Sequence, residues 1–198
     1  MLLQAGFQLV YLPGNRPSQE ELSDAMKQPG TVAVIAGGAP ITGEMIQSSP
    51  NLKIIAMHGV GLSHIDRETA REKGVVVKAV PGGNAEAVAD QTWGLLLALS
   101  RKICQADTEI RRGVWGKHFG TSMNQKTLGI IGFGHIGRAV ARRARGFEMR
   151  VLAYDVFKDE EAAAALNTTY VELGELICTS DYITIHVKYP GVRPLLPD

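Results

Sequence analysis

Short β-rich runs alternate with helical patterns along almost the whole chain, and that alternation restricts the fold more than any other feature. Residues 9–11, 31–36, 53–57 and 75–77 (LVY, TVAVIA, KIIAM and VVV) read as buried strands of a parallel sheet. Helical patterns over 18–27, 42–48 and 65–73 connect them, and Ser18 with Glu21 three residues on has the spacing of a capping box. Asn84 precedes a long helical run from Ala85 to about Arg112, broken or bent near Arg101, and 113–126 reads as a loop. Strands at 127–131, 150–154 and 182–186, with a short one near Tyr170, then alternate with helices at 136–147, 160–166 and 173–179. Parallel strands need crossover connections, so the pattern predicts an α/β, doubly wound architecture. Residues 188–198 change character: Pro190, Pro194 and Pro197 remove donors and fix φ, which predicts an irregular tail.

Bulk properties remove several classes of function. A formal net charge of +1 gives no electrostatic case for nucleic acid or an anionic membrane as partner. The longest apolar run, 93–99 (WGLLLAL), is far short of a membrane span and suits a buried helix. No basic stretch precedes an apolar one at the N-terminus, so no secretory signal is expected. Cys104 and Cys178 share no metal-type spacing and form no disulfide framework, which makes a reducing cytoplasm the expected location. His58, His64, His118, His135 and His186 show neither metal-ligand spacing nor a nucleophile partner and read as structural or surface residues.

The strongest chemical signal is GFGHIG at 132–137. A glycine triplet alone is weak, but here a strand ends at Ile131, a helix opens at Ile136, and Asp155 closes the next strand. In that context Gly132 permits the tight turn, Gly134 lets backbone approach a pyrophosphate, and Gly137 lets helix and strand pack closely. The helix start then offers free N–H groups and a positive dipole end to phosphates. Asp155, placed to accept ribose hydroxyls, would repel the extra phosphate of NADP, which favours NAD, with Lys158 the nearest opposing charge. The competing readings are a ligand-free strand-to-helix turn and a turn-capping aspartate.

Stretches before and after this motif widen the pattern. NLKIIAMHGVGLSHID at 51–66, GVVV at 74–77, PGGNAEAVADQT at 81–92, LLLALSR at 95–101, GVW at 113–115, the glycine motif, Tyr154 with Asp155, and SDYITIHV at 180–187 follow one another. In order and spacing they resemble the NAD-dependent D-2-hydroxyacid dehydrogenases, phosphoglycerate dehydrogenase-like members above all. The resemblance implies a flavodoxin-like substrate domain over 1–84 and a partial Rossmann dinucleotide-binding domain over 85–187, ahead of the 188–198 tail. It implies that backbone at Gly59, Val60 and Gly61 faces a substrate carboxylate, as a glycine loop exposing N–H groups can. For Gly59 and Gly61 a tight turn is an equally good local explanation. It further implies that Val60 approaches the nicotinamide, that His135 and Ile136 touch the pyrophosphate through backbone, and that Val187 and Thr92 contact the cofactor.

The resemblance also sets an expectation of absence. Oxidising a 2-hydroxy acid needs a base for the hydroxyl proton and a cation on the oxygens of the acid. In the family these are a histidine, a glutamate that tunes it and an arginine, all beyond the strand matching 182–186, and the chain stops before them. A first strand of the substrate domain and the later half of the dinucleotide domain are likewise expected to be missing. The chain therefore reads as a shortened, inert dehydrogenase that binds NAD(H), with a small 2-hydroxy or 2-oxo acid as the family's substrate and a homodimer or aggregate as its assembly. A noncatalytic NAD-binding regulatory or interaction module and one half of a split enzyme stay open beside it.

Overall fold

A computed structural model describes residues 2–12 and 17–187, so the expected irregular tail at 188–198 lies outside the described residues. The chain divides into two compact units, Met1–Gly83 and Asn84–Asp198. In the first, β1 (Ala33–Ala36), β2 (Ile54–Met57) and β3 (Val76–Ala79) form a parallel sheet in that order. Helices α1 (Gln19–Lys27), α2 (Gly43–Gln47) and α3 (Arg67–Glu72) supply the connections. Each start is set by a side chain that takes an orphan amide: Ser18 from Glu21 in a full capping box, Thr42 from Met45, Asp66 from Thr69. Leu22, Met26, Ile41, Ile46, Ile55, Ile65 and Ala70 make the core. The end of α2 is closed by a cation: Lys73 Nζ donates to the carbonyls of Ile46, Gln47 and Ser49, each at 2.6 Å.

The strand expected at 9–11 does not form. A 3-10 turn at Leu3–Ala5 ends at Gly6 (φ +83°), and the chain runs on irregularly with Val10 75% and Tyr11 85% exposed. β-propensity records fit to a paired, half-buried surface, and 9–11 pairs with no strand among the described residues.

The second unit opens with α4 (Ala85–Ser100) and α5 (Ile103–Arg111), separated where Lys102 takes a left-handed conformation (φ +55°). Then come β4 (Thr127–Ile131), α6 (His135–Ala144), β5 (Arg150–Tyr154), α7 (Glu160–Ala165), β6 (Thr168–Tyr170), α8 (Leu173–Thr179) and β7 (Tyr182–Ile185). The parallel order is β6-β5-β4-β7, so the chain steps outward on one side of β4 and then crosses to the other. That is the strand order of the first four strands of a Rossmann sheet, with its switch point between β4 and β7.

Burial follows from this layering. Leu128, Ile130, Val140, Ala141 and Ala144 have no or almost no exposure in the core against α4 and α6, while Ile131, Leu152 and Leu176 pack on the α8 side. Trp93 on α4 joins them: its Nε1–H donates to the Val140 carbonyl at 3.2 Å and its ring stacks on Phe147 at 4.7 Å. Arg142 and Arg143 of α6 pair with Glu86 and Asp90 of α4, and these bonds hold the Glu86 carboxyl below its usual range. The pairs are exposed and contribute little beside the apolar contact.

Removing the Trp93 side chain deletes both stacking and a buried donor. In urea unfolding Trp93→Ala is expected to lower stability by about 3–5 kcal/mol, whereas Leu99→Ala, at a position 73% exposed, should stay within about 0.5 kcal/mol.

Candidate functional site

The turn after β4 is built by three glycines, each needed for a different reason. Gly132 sits at φ +94°, donates its N–H to the Tyr154 carbonyl at 2.8 Å, and a Cβ there would stand 2.7 Å from the His186 carbonyl. Gly137 is held by contact alone, since its Cβ would meet the Gly132 oxygen at 2.2 Å. Gly134 is extended (φ −79°, ψ −158°) at the N-cap of α6, and nothing lies within 4 Å of where its Cβ would be. The space before α6 is therefore open. No side chain caps that helix, so the first-turn amides, beginning with His135 and Ile136, face outward unclaimed.

Asp155 follows β5, and the pairing of Ile131 with Tyr154 carries it alongside the turn. Its Oδ2 accepts the Phe133 N–H at 2.7 Å and its Oδ1 accepts the Phe157 N–H at 3.1 Å. A carboxylate has about four acceptor directions, so roughly two remain for hydroxyl donors. On the other side of Phe133, Arg138 donates its Nε–H to the Phe133 carbonyl at 3.0 Å and pairs with Asp159 at 2.9 Å. Asp159 also caps α7 by accepting the Ala162 N–H, and that bond first, with Arg138 second, keeps its carboxyl below the usual range. Lys158 is turned elsewhere, with Nζ 5.9 Å above the Tyr170 ring.

The switch point is closed by the end of β7. His186 donates its backbone N–H to Ile131 at 2.7 Å, and Val187 Cγ1 would lie 2.8 Å from a Cβ on Gly132. Thr92 lies on α4 and its hydroxyl donates to its own helix at Val88. It lines an apolar groove of about 290 Å³ with Leu95, Leu96, Leu99, Ile183, Thr184, Ile185 and His186. Within that lining Thr184 Oγ1 and His186 Nε2 are buried with no hydrogen-bond partner among the described residues, and burial pushes the His186 imidazole below its usual pKa.

The residues foreseen in the first unit lie on one loop. Gly59, Val60 and Gly61 follow the carboxyl end of β2; Gly59 takes φ +144° and its carbonyl accepts the Val80 N–H at 3.3 Å. Val60 is 49% exposed. Arg138, Asp159 and Thr184 were not foreseen. Arg138 sits one position past the last glycine, which was the available signal; the other two carry no local mark. Among the described residues no three His, Cys, Asp or Glu side chains could together hold a metal ion, and no helix is long and apolar enough to cross a membrane.

Residues 93–191 match the sequence profile of the D-isomer specific 2-hydroxyacid dehydrogenase NAD-binding domain. The chain belongs to that family. It is 42% identical over 158 residues to a hydroxypyruvate reductase of Thermotoga maritima, covering 79% of this chain and 51% of that protein. It is 39% identical over 183 residues to a D-3-phosphoglycerate dehydrogenase of Methanocaldococcus jannaschii, covering 90% of this chain and 35% of the relative. The D-lactate dehydrogenase of Aquifex aeolicus, solved with NAD and lactic acid, superposes with a TM-score of 0.71 at 30% identity, over 84% of this chain and 50% of that one. The chain thus spans between 30% and 51% of the length of the first curated relatives it matches.

The glycine turn fits the family's cofactor. It leaves open space at Gly134, free amides beyond it and a fixed carboxylate beside it. Gly134→Ala should fold normally, because its Cβ enters empty space, yet cut NAD affinity tenfold or more, about 1.4 kcal/mol. Gly137→Ala should instead lose about 1–3 kcal/mol of folding stability. Calorimetric titration beside thermal unfolding separates the two.

Proposed function

We propose that the chain holds NAD(H) at the 132–155 region and that Asp155 selects it over NADP. The observation that carries this reading is the Asp155 carboxylate, fixed on the Phe133 N–H beside the open start of α6. Asp155 would accept the ribose hydroxyls, the amides at His135 and Ile136 would receive the pyrophosphate, and Gly132, Gly134 and Gly137 would shape the approach. Val187, Thr92 and Val60 are the further contacts implied by family membership. Gly59, Val60 and Gly61 would present backbone N–H groups to the carboxylate of a small 2-hydroxy or 2-oxo acid, phosphoglycerate-type acids being the first candidates. Bound NAD supplies a hydride acceptor for such an acid. Free Cys104 and Cys178 suit a reducing cytoplasm.

A polypeptide of these 198 residues is not expected to turn over by itself. Hydride removal needs a base within reach of the hydroxyl proton. The family's base, its glutamate and its arginine belong after the strand matching β7, and 188–198 contains Arg193 but no glutamate or histidine. Calorimetry should show NAD bound more tightly than NADP, with Asp155→Ala narrowing the difference, and no NADH should form from phosphoglycerate, glycerate or lactate. Equal affinities in the unsubstituted chain would refute the role of Asp155, and turnover abolished by Gly134→Trp would refute the inactivity.

The proposal extends to assembly. Among the described residues β7 pairs only with β4, and beside its other edge stand Leu95, Leu99 and Ile185 at 61%, 73% and 42% exposure. An apolar strip along an unpaired edge favours association. We expect the purified chain to self-associate, with a dimer as the smallest species. Light scattering should give a mass above the monomer, reduced by Leu95→Glu; a monodisperse monomer at all concentrations would sink this expectation.

A further inference from the structure

Resting on the reading of the 132–155 region as the adenosine side of a dinucleotide site, we infer that Asp159 is a second cofactor-specificity residue, which acts by occupying Arg138. Asp155 and Arg138 grip the same residue: the acid takes the Phe133 N–H at 2.7 Å and the guanidinium binds the Phe133 carbonyl at 3.0 Å. A cation is therefore built in beside the ribose acid, steadied by the Phe133 ring at 5.9 Å. A guanidinium in such a place is a good receptor for a phosphate, because its donors form a rigid fork. It is withheld, because Asp159 already engages it at 2.9 Å.

The consequence is an order of dependence between the two acids. Neutralising Asp155 alone removes a repulsion but leaves Arg138 paired, so an incoming 2′-phosphate must still displace a carboxylate. Neutralising both frees the guanidinium at its anchored position. Lys158 does not substitute for it, being an exposed, flexible ammonium placed over Tyr170 rather than hydrogen-bonded to the turn. Asparagine suits both tests of charge. At 159 it keeps an acceptor for the Ala162 N–H at the helix start, and at 155 it keeps one for the Phe133 N–H.

The test uses the full chain and two fragments, adenosine 5′-monophosphate and adenosine 2′,5′-bisphosphate, titrated by calorimetry at fixed salt. Asp155→Asn should weaken the monophosphate and bring little gain for the bisphosphate. Asp155→Asn with Asp159→Asn should bind the bisphosphate about tenfold more tightly than Asp155→Asn alone, the scale of one charge-assisted contact. Adding Arg138→Gln should erase that gain, while Lys158→Gln should leave it. A double variant no better than Asp155→Asn, or a gain that survives Arg138→Gln, overturns the inference and leaves the cofactor site itself standing. An unsubstituted chain that binds neither adenosine monophosphate nor NAD overturns the underlying reading and the inference with it.

Discussion

The second unit is organised by one close approach, that of α6 to the end of β4. The Gly132 oxygen lies 2.2 Å from where any Cβ at position 137 would stand, so the helix reaches this depth only because residue 137 has none. Depth has two effects. It brings Ala139, Val140, Ala141 and Ala144 into the interior, where small side chains fill the gap between helix and sheet. It also sets the uncapped start of α6 directly behind the turn, so that packing energy fixes the direction of the helix dipole. The same contact folds the unit and aims the site.

Around that turn the polar groups are committed in advance. Phe133 is bound through its N–H by Asp155 and through its carbonyl by Arg138, while its ring is 1% exposed in the core. A carboxylate ordered before ligand arrives loses no rotamer freedom on binding, and that saving appears as affinity. The arrangement is asymmetric in charge. Among the described residues Asp155 is met by backbone N–H donors, whereas Arg138 is neutralised by a side chain. A removable partner makes Arg138 the adjustable element and leaves Asp155 the fixed one.

Much of this was legible in the sequence because it is written locally. The capping box at Ser18 and Glu21, the break in the long helix at Lys102, and the strand–turn–helix at 127–144 all depend on residues within a few positions of each other. The strand expected at 9–11 failed for the complementary reason: a strand is a paired object, and local propensity carries no information on a partner. Arg138 with Asp159, and Lys73 with the carbonyls at the end of α2, were illegible because separations of 21 and about 25 residues leave no periodic trace. Thr184 and His186 read as ordinary strand residues, and only the fold shows their polar atoms buried with no partner among the described residues.

Those two atoms bear on how the edge of the sheet is used. A buried hydroxyl or imidazole nitrogen without a partner costs about 1–3 kcal/mol, and sheet edges beside apolar side chains invite pairing. Both features converge on the same groove between α4 and β7, while the core residues Leu128, Ile130 and Leu152 are fully buried and a third buried hydroxyl, Ser180 Oγ, lies against Gly129 of β4 with no partner among the described residues. The groove thus carries two of the three unpartnered buried atoms at one margin of the sheet. The glycine turn at 132–137 rests on that core, with the backbone of His186 and the side chain of Val187 reaching it from the end of β7. Substitutions that fill the groove should therefore leave the turn at 132–137 in place.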